Sequence, residues 1–92
     1  MAWLIDLTET AEKQLAKLDR PVCKRILDFL RNRVANLDNP HSIGEALHGS
    51  QLGEFWKYRV GDYRIIARIE DKSLLILVVR IGHRGKVYSD KS

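Results

Sequence analysis

The dipeptide Gly61-Asp62 separates two runs of alternating residues, Phe55–Val60 and Tyr63–Ile69. Both runs are rich in aromatic and β-branched side chains, which suit strands. A two-residue loop with a glycine that supplies positive φ joins antiparallel strands and fixes their register. Val60 then faces Tyr63, Arg59 faces Arg64, Lys57 faces Ile66 and Phe55 faces Arg68. Side chains alternate across a strand, so one face of this hairpin presents Lys57, Arg59, Arg64 and Arg68. The other presents Trp56, Tyr58, Val60, Tyr63, Ile65, Ala67 and Ile69. That second face is an apolar floor, and the rest of the chain must cover it.

Helices upstream supply the cover. Trp3 to Leu7 reads as a short strand. A helix over Glu9–Leu18 follows, with Ala11, Leu15 and Leu18 on one stripe and Thr8 as N-cap. Asp19-Arg20-Pro21 breaks it, and Pro21 suits the first turn of a second helix. The second helix is predicted over Pro21–Leu37, with Val22, Ile26, Leu30, Val34 and Leu37 along one face. Cys23 reads as an apolar residue of this helix and not as a nucleophile. Asp38-Asn39-Pro40 ends the pair. Residues 41–53 read as a glycine-bearing loop with at most one short turn, and His41 and His48 as loop histidines. Leu74–Arg80 is a third strand, apolar on both faces over Leu74–Val79 and therefore central. A short last strand is expected near Val87-Tyr88. The order β-α-α-β-β-β defines a small α+β fold, a mainly antiparallel twisted sheet with a two-helix hairpin on one face.

At 92 residues the chain has room for a single domain over 1–92 and none for a separate cofactor domain. Its apolar fraction of 45% is that of a folded protein. The longest apolar run is far below the roughly 20 residues that cross a bilayer. The N-terminus has no basic leader, and a single cysteine excludes a disulfide framework. The expected location is the cytoplasm, with no membrane partner.

Charge is distributed unevenly. Residues 1–54 hold seven Lys/Arg against eight Asp/Glu, net −1, whereas residues 55–92 hold nine against four, net +5. A basic half on a small domain suggests a polyanion, with nucleic acid first. Arg59 opposite Arg64 costs about 0.2–1 kcal/mol in repulsion, which a sequence chosen for folding alone avoids. An anion on that face explains the pair, and splayed arginines in solvent are the plain alternative. A second basic group, Arg80-Ile81-Gly82-His83-Arg84-Gly85-Lys86-Val87-Tyr88, leaves the central strand beside the hairpin. Gly82 and Gly85 permit a bend that brings Arg84 over the cationic face. Tyr88 is either a core ring or a platform for base stacking. His83 has the side chain whose ordinary pKa lies near neutrality. Glu54, Asp62 and Glu70 are the acids expected near this face, which gives a two-carboxylate mechanism little support. No metal-ligand spacing, Ser-His-Asp arrangement or G-x-x-x-x-G-K loop is present. Phosphate chemistry without a cofactor, or plain anion binding, is what these residues suit.

The order Leu47-His48-Gly49, then Trp56-Lys57-Tyr58-Arg59-Val60-Gly61-Asp62-Tyr63-Arg64-Ile65, then Val79-Arg80-Ile81-Gly82-His83-Arg84 and Val87-Tyr88 resembles the RelE toxins of type II toxin–antitoxin systems, within the RelE/ParE superfamily. The resemblance spans nearly the whole chain. It implies a ribosome-dependent endoribonuclease that cuts mRNA in the decoding site without metal. The substrate 2′-hydroxyl attacks the adjacent phosphate, leaving a 2′,3′-cyclic phosphate and a 5′-hydroxyl. By the resemblance, Lys57 matches the first basic residue of a K-x-K segment, and Arg59 replaces its second lysine. Arginine is a poor general base, so the resemblance shifts that role to Lys57, whose pKa the nearby arginines should lower. Arg64 matches a phosphate-binding arginine, Arg84 one near the leaving 5′-oxygen, and Tyr88 a tyrosine that stacks on or orients the base. His83 is a secondary candidate for protonating the leaving oxygen. Implied partners are a RelB-type antitoxin, the ribosome with its 16S rRNA, and mRNA, with operator DNA bound through the antitoxin. Two other readings share the fold: a ParE-like toxin that inhibits DNA gyrase and cuts no RNA, and a non-catalytic RNA- or partner-binding module.

Overall fold

The structure, a computed structural model, describes residues 2–47 and 55–85. Tyr88, the strand expected near Val87-Tyr88, His48 and Glu54 lie outside the described residues. The elements run β1 (Leu4–Leu7), α1 (Glu9–Ala16), α2 (Arg20–Asp28), β2 (Glu45–Ala46), β3 (Phe55–Val60), β4 (Tyr63–Glu70) and β5 (Leu75–His83). They form one sheet in the order β1-β5-β4-β3-β2. β1 lies parallel to β5, and the remaining pairs are antiparallel. Among the described residues no helix is long and apolar enough to cross a membrane.

The hairpin has the register set by its turn, with Val60 opposite Tyr63, Arg59 opposite Arg64, Lys57 opposite Ile66 and Phe55 opposite Arg68. Gly61 has φ +58, a conformation that suits glycine because a Cβ would be strained there. The inward face meets the helices as expected. Ala11, Leu15, Ile26, Leu30 and Val34 pack on Tyr58, Val60, Ile65, Ala67, Ile76, Val78 and Ile81 in one core. Each fully buried Val, Leu or Ile side chain contributes about 1.5–3 kcal/mol.

α1 begins at its predicted cap: the Thr8 hydroxyl accepts from the Ala11 N–H at 3.2 Å. Thr8 and Gln14 also serve the sheet. β1 pairs with β5 only through Val78, so the next backbone groups of β5 need other partners. The Thr8 hydroxyl donates to the Val79 carbonyl at 3.4 Å, and the Ile81 N–H donates to Gln14 Oε1 at 2.8 Å.

Three local features depart from the regular pattern. The second helix continues past Asp28 as a π-helical turn over Phe29–Val34, with the Ala35 N–H reaching the Leu30 carbonyl at 2.9 Å. Its apolar residues recur every four positions, and four residues overshoot a full α-helical turn by about 40°. The wider turn takes up part of that drift and leaves Leu30, Val34 and Ala35 all buried. β5 carries a bulge: Ile66 pairs with Arg80 and Ala67 with Val78, so Val79 has no opposite residue on β4. Leu74 lies just before β5, not in it, at φ +50 after a 3₁₀ turn over Asp71–Ser73.

The left-handed conformation costs an L-residue about 1–2 kcal/mol, against roughly 0.5–1 kcal/mol for glycine's extra chain entropy. Leu74 belongs to neither core cluster, so truncating it removes no core packing. Leu74→Gly is therefore expected to raise stability by about 0.5–1 kcal/mol in urea unfolding, whereas Leu74→Val, branched at Cβ, lowers it.

Candidate active site

The sheet face away from the helices carries the cations, and the structure adds three details to the sequence expectation. First, the segment expected as a loop with at most one short turn has that turn and also a short strand. Pro40–Ser42 form a 3₁₀ turn, and Glu45–Ala46 pair with β3, Glu45 opposite Lys57 and Ala46 opposite Trp56. This segment is stapled from the core side of β3. The Trp56 indole N–H donates to the Ile43 carbonyl at 2.7 Å, and the buried Tyr58 hydroxyl donates to the Pro40 carbonyl at 2.6 Å. Burial raises the Tyr58 pKa well above the usual tyrosine value, so the hydroxyl stays a neutral donor. The His41 ring meets Trp56 edge to face, with centroids 4.7 Å apart. Gly44, at φ +78, lets the backbone pass against β3.

The consequence is a carboxylate on the cationic face. Glu45 lies 3.3 Å from the Lys57 ammonium, whose side chain is only 22% exposed. The expected acids were Glu54, Asp62 and Glu70, so Glu45 corrects that reading. Of those, Glu70 pairs with Arg68 at 3.3 Å.

Second, Arg64 is not splayed into solvent. It is 9% exposed, and its Nη1 donates to the carbonyls of Gly61 at 3.1 Å and Tyr63 at 3.0 Å. Turn carbonyls therefore offset the repulsion expected from Arg59, which stays exposed. An arginine fork carries five N–H donors, so this tie uses part of it.

Third, the Val79 bulge turns Arg80 onto the same face. Ile76, Val78 and Ile81 are all in the core, and unbroken alternation from Val78 would have aimed Arg80 inward. The register gives two rows across the sheet, Glu45–Lys57–Ile66–Arg80 and Arg59–Arg64–Gly82. Adjacent strands are about 4.8 Å apart, so these rows gather Lys57, Arg59, Arg64 and Arg80 on neighbouring positions of one face. The face is not wholly polar, because Leu47 and Ile66 are buried there with Phe55 and Val79 packed against them.

The remaining candidates sit at the turn end of the sheet. The Arg84 backbone N–H donates to the Asp62 carbonyl at 2.7 Å, which holds this exposed arginine beside the hairpin turn. His83 pairs with Tyr63 and meets its ring edge to face at 5.6 Å. That pairing puts His83 on the helix side of the sheet, away from Lys57, Arg59 and Arg64. Among the described residues no three His, Cys, Asp or Glu side chains converge as a metal site would require.

The described residues thus form an α+β domain with a helical pair on one face of the sheet and a set of cations on the other. The family model described as "ParE toxin of type II toxin-antitoxin system, parDE" matches residues 5–88. The chain belongs to that toxin family. Similar sequences are RelE-type members of the same RelE/ParE superfamily, in line with the resemblance read from the sequence. Toxin RelG of Mycobacterium tuberculosis is 27% identical over 88 residues, covering 96% of this chain and 98% of the relative. The mRNA interferase toxin RelE of Escherichia coli is 28% identical over 92 residues, covering 98% and 94%. The fold agrees with solved structures. A chain of the RelBE2 toxin–antitoxin complex of M. tuberculosis superposes with a TM-score of 0.83 at 24% identity, over 94% of this chain and 95% of that one. The isolated E. coli RelE toxin gives 0.69 at 23% identity, over 96% and 93%.

Proposed function

We propose that this toxin is an endoribonuclease that cuts mRNA on the ribosome, using the substrate's own 2′-hydroxyl as nucleophile. The observation that carries this reading is the row Glu45–Lys57–Ile66–Arg80 beside Arg59 and Arg64. It sets one carboxylate at the edge of a field of cations. Glu45 takes the proton of the 2′-hydroxyl, and the O2′–P bond forms as the P–O5′ bond breaks. Lys57, Arg59 and Arg64 stabilise the negative charge that accumulates on the phosphoryl oxygens. Lys57 acts here as an ammonium and leaves proton transfer to its carboxylate partner. Arg84 stabilises the leaving 5′-oxygen, which takes its proton from water, because an arginine does not release one. Tyr88 supplies a ring for base stacking in this scheme. The activity named for the E. coli relative supports the reading.

Partners follow by the same reasoning. Solved relatives include RelB–RelE complexes, and we include a RelB-type antitoxin whose acidic residues cover the cationic face. The ribosome and mRNA are the targets.

The test is primer extension on ribosomes programmed with a defined mRNA, with the full chain added in the presence of a chelator. A discrete cut in the decoding codon, leaving a 5′-hydroxyl end, is expected. The matching family is named for ParE, and a gyrase-inhibiting toxin is the competing reading. An intact message together with inhibited supercoiling by gyrase would assign the chain to it.

A further inference from the structure

β2 covers β3 only at Trp56 and Lys57. Beyond Lys57, the outer edge of Tyr58–Val60 has no strand partner among the described residues. A cleft of about 410 Å³ opens at that bare edge, between β3, the segment ahead of β2 and the π-helical turn. Phe29 and Ile43 give it half-buried apolar walls, while Arg33 and Arg59 are exposed at its rim. Lys57 and Glu45 line it too, so it is continuous with the cationic face.

We infer that this cleft is a second subsite for single-stranded RNA, holding a nucleotide that flanks the cleaved phosphate. This rests on the nuclease reading and extends it by naming where the strand goes. The volume falls within the roughly 300–1,000 Å³ of small-molecule sites. Apolar walls with cations at the mouth match the two halves of a nucleotide, a flat base and a phosphate. Phe29 and Ile43 take the base, and Arg33 with Arg59 takes the phosphate. The exposed backbone edge of β3 offers a donor and an acceptor to the base edge. Three cations against one carboxylate make an anionic strand the favoured occupant. The π-helical turn has a part in this, because both Phe29 and Arg33 belong to it.

The probe is a 2′-deoxy trinucleotide, which binds but has no nucleophile to cut itself. It is titrated into the full chain while backbone amide signals are followed by NMR. The amides of Ile43 and Gly44 are expected to shift along with those of Lys57 and Arg59. Arg33→Ala is expected to weaken binding 5–10-fold, and to raise the mRNA concentration for half-maximal cutting with little change in the maximal rate. Shifts confined to Lys57, Arg59, Arg64 and Arg80 would overturn the inference. So would unmoved cleft amides at millimolar trinucleotide. If a peptide of aspartate and glutamate moves the cleft amides and the trinucleotide does not, the cleft is a protein-docking site and the inference fails. The two readings fail separately: cleft shifts from the trinucleotide with no mRNA cutting would keep the subsite and reject the nuclease.

Discussion

Glu45→Gln is expected to slow mRNA cutting by about 10²–10⁴-fold, the usual span for losing a positioned general base. The substitution keeps the size of the side chain and removes its capacity to take a proton. Glu45 is 59% exposed in its ion pair with Lys57, so stability should change by less than about 1 kcal/mol. Lys57→Arg is the companion variant. It keeps a cation where the phosphate binds but cannot serve as a base at neutral pH. If Glu45 takes the proton, Lys57→Arg loses much less rate than Glu45→Gln. The reverse order, measured in single-turnover cutting, would return the base to Lys57 and make Glu45 a tether.

Gly44→Ala is expected to cost about 2–4 kcal/mol in urea unfolding, combining left-handed strain with overpacking. An added Cβ would lie 2.8 Å from the Trp56 indole nitrogen and closer still to the Lys57 carbonyl. The carbonyl belongs to the central part of the hairpin, so the loop must be the part that moves. It carries Glu45, the next residue, away from Lys57. The folded fraction should then cut mRNA nearly as slowly as Glu45→Gln does. Unchanged stability with full activity would show that the loop tolerates another path and does not position Glu45.

The hairpin was the most legible part of the sequence because one rigid turn propagates its register along both strands. β2 was not legible, because two residues in a glycine-bearing segment have no period, and Glu45 meets its partner twelve positions away. A clue existed in Trp56 and Tyr58, whose polar tips point inward and require acceptors such as the Ile43 and Pro40 carbonyls. The face and register of Arg64 follow from alternation, but its burial does not, because alternation tells which face a side chain leaves from and not whether its head folds back onto a turn. Arg80 was placed in the basic run, but its face depended on a bulge that no residue type announces. The one sign was a charge inside an apolar strand, which simple alternation would have buried. The helical stripe agrees with the structure from Val22 to Val34, whereas Leu37 falls past the end of the helix and outside the core, and the repeated spacing of four residues suits the π-helical turn.

β1 and β5 lie side by side although their paired residues, such as Leu4 and Leu75, stand 71 positions apart in the chain. Contacts between such distant parts form late and slowly. During synthesis the first strand emerges with its permanent neighbour still unmade, and the core must wait for β5. The same strand carries Arg80 and leads into Arg84. The last arginines of the cationic face and the seam that closes the sheet are thus completed by one event, so the chain gains its stability and its proposed means of harm together.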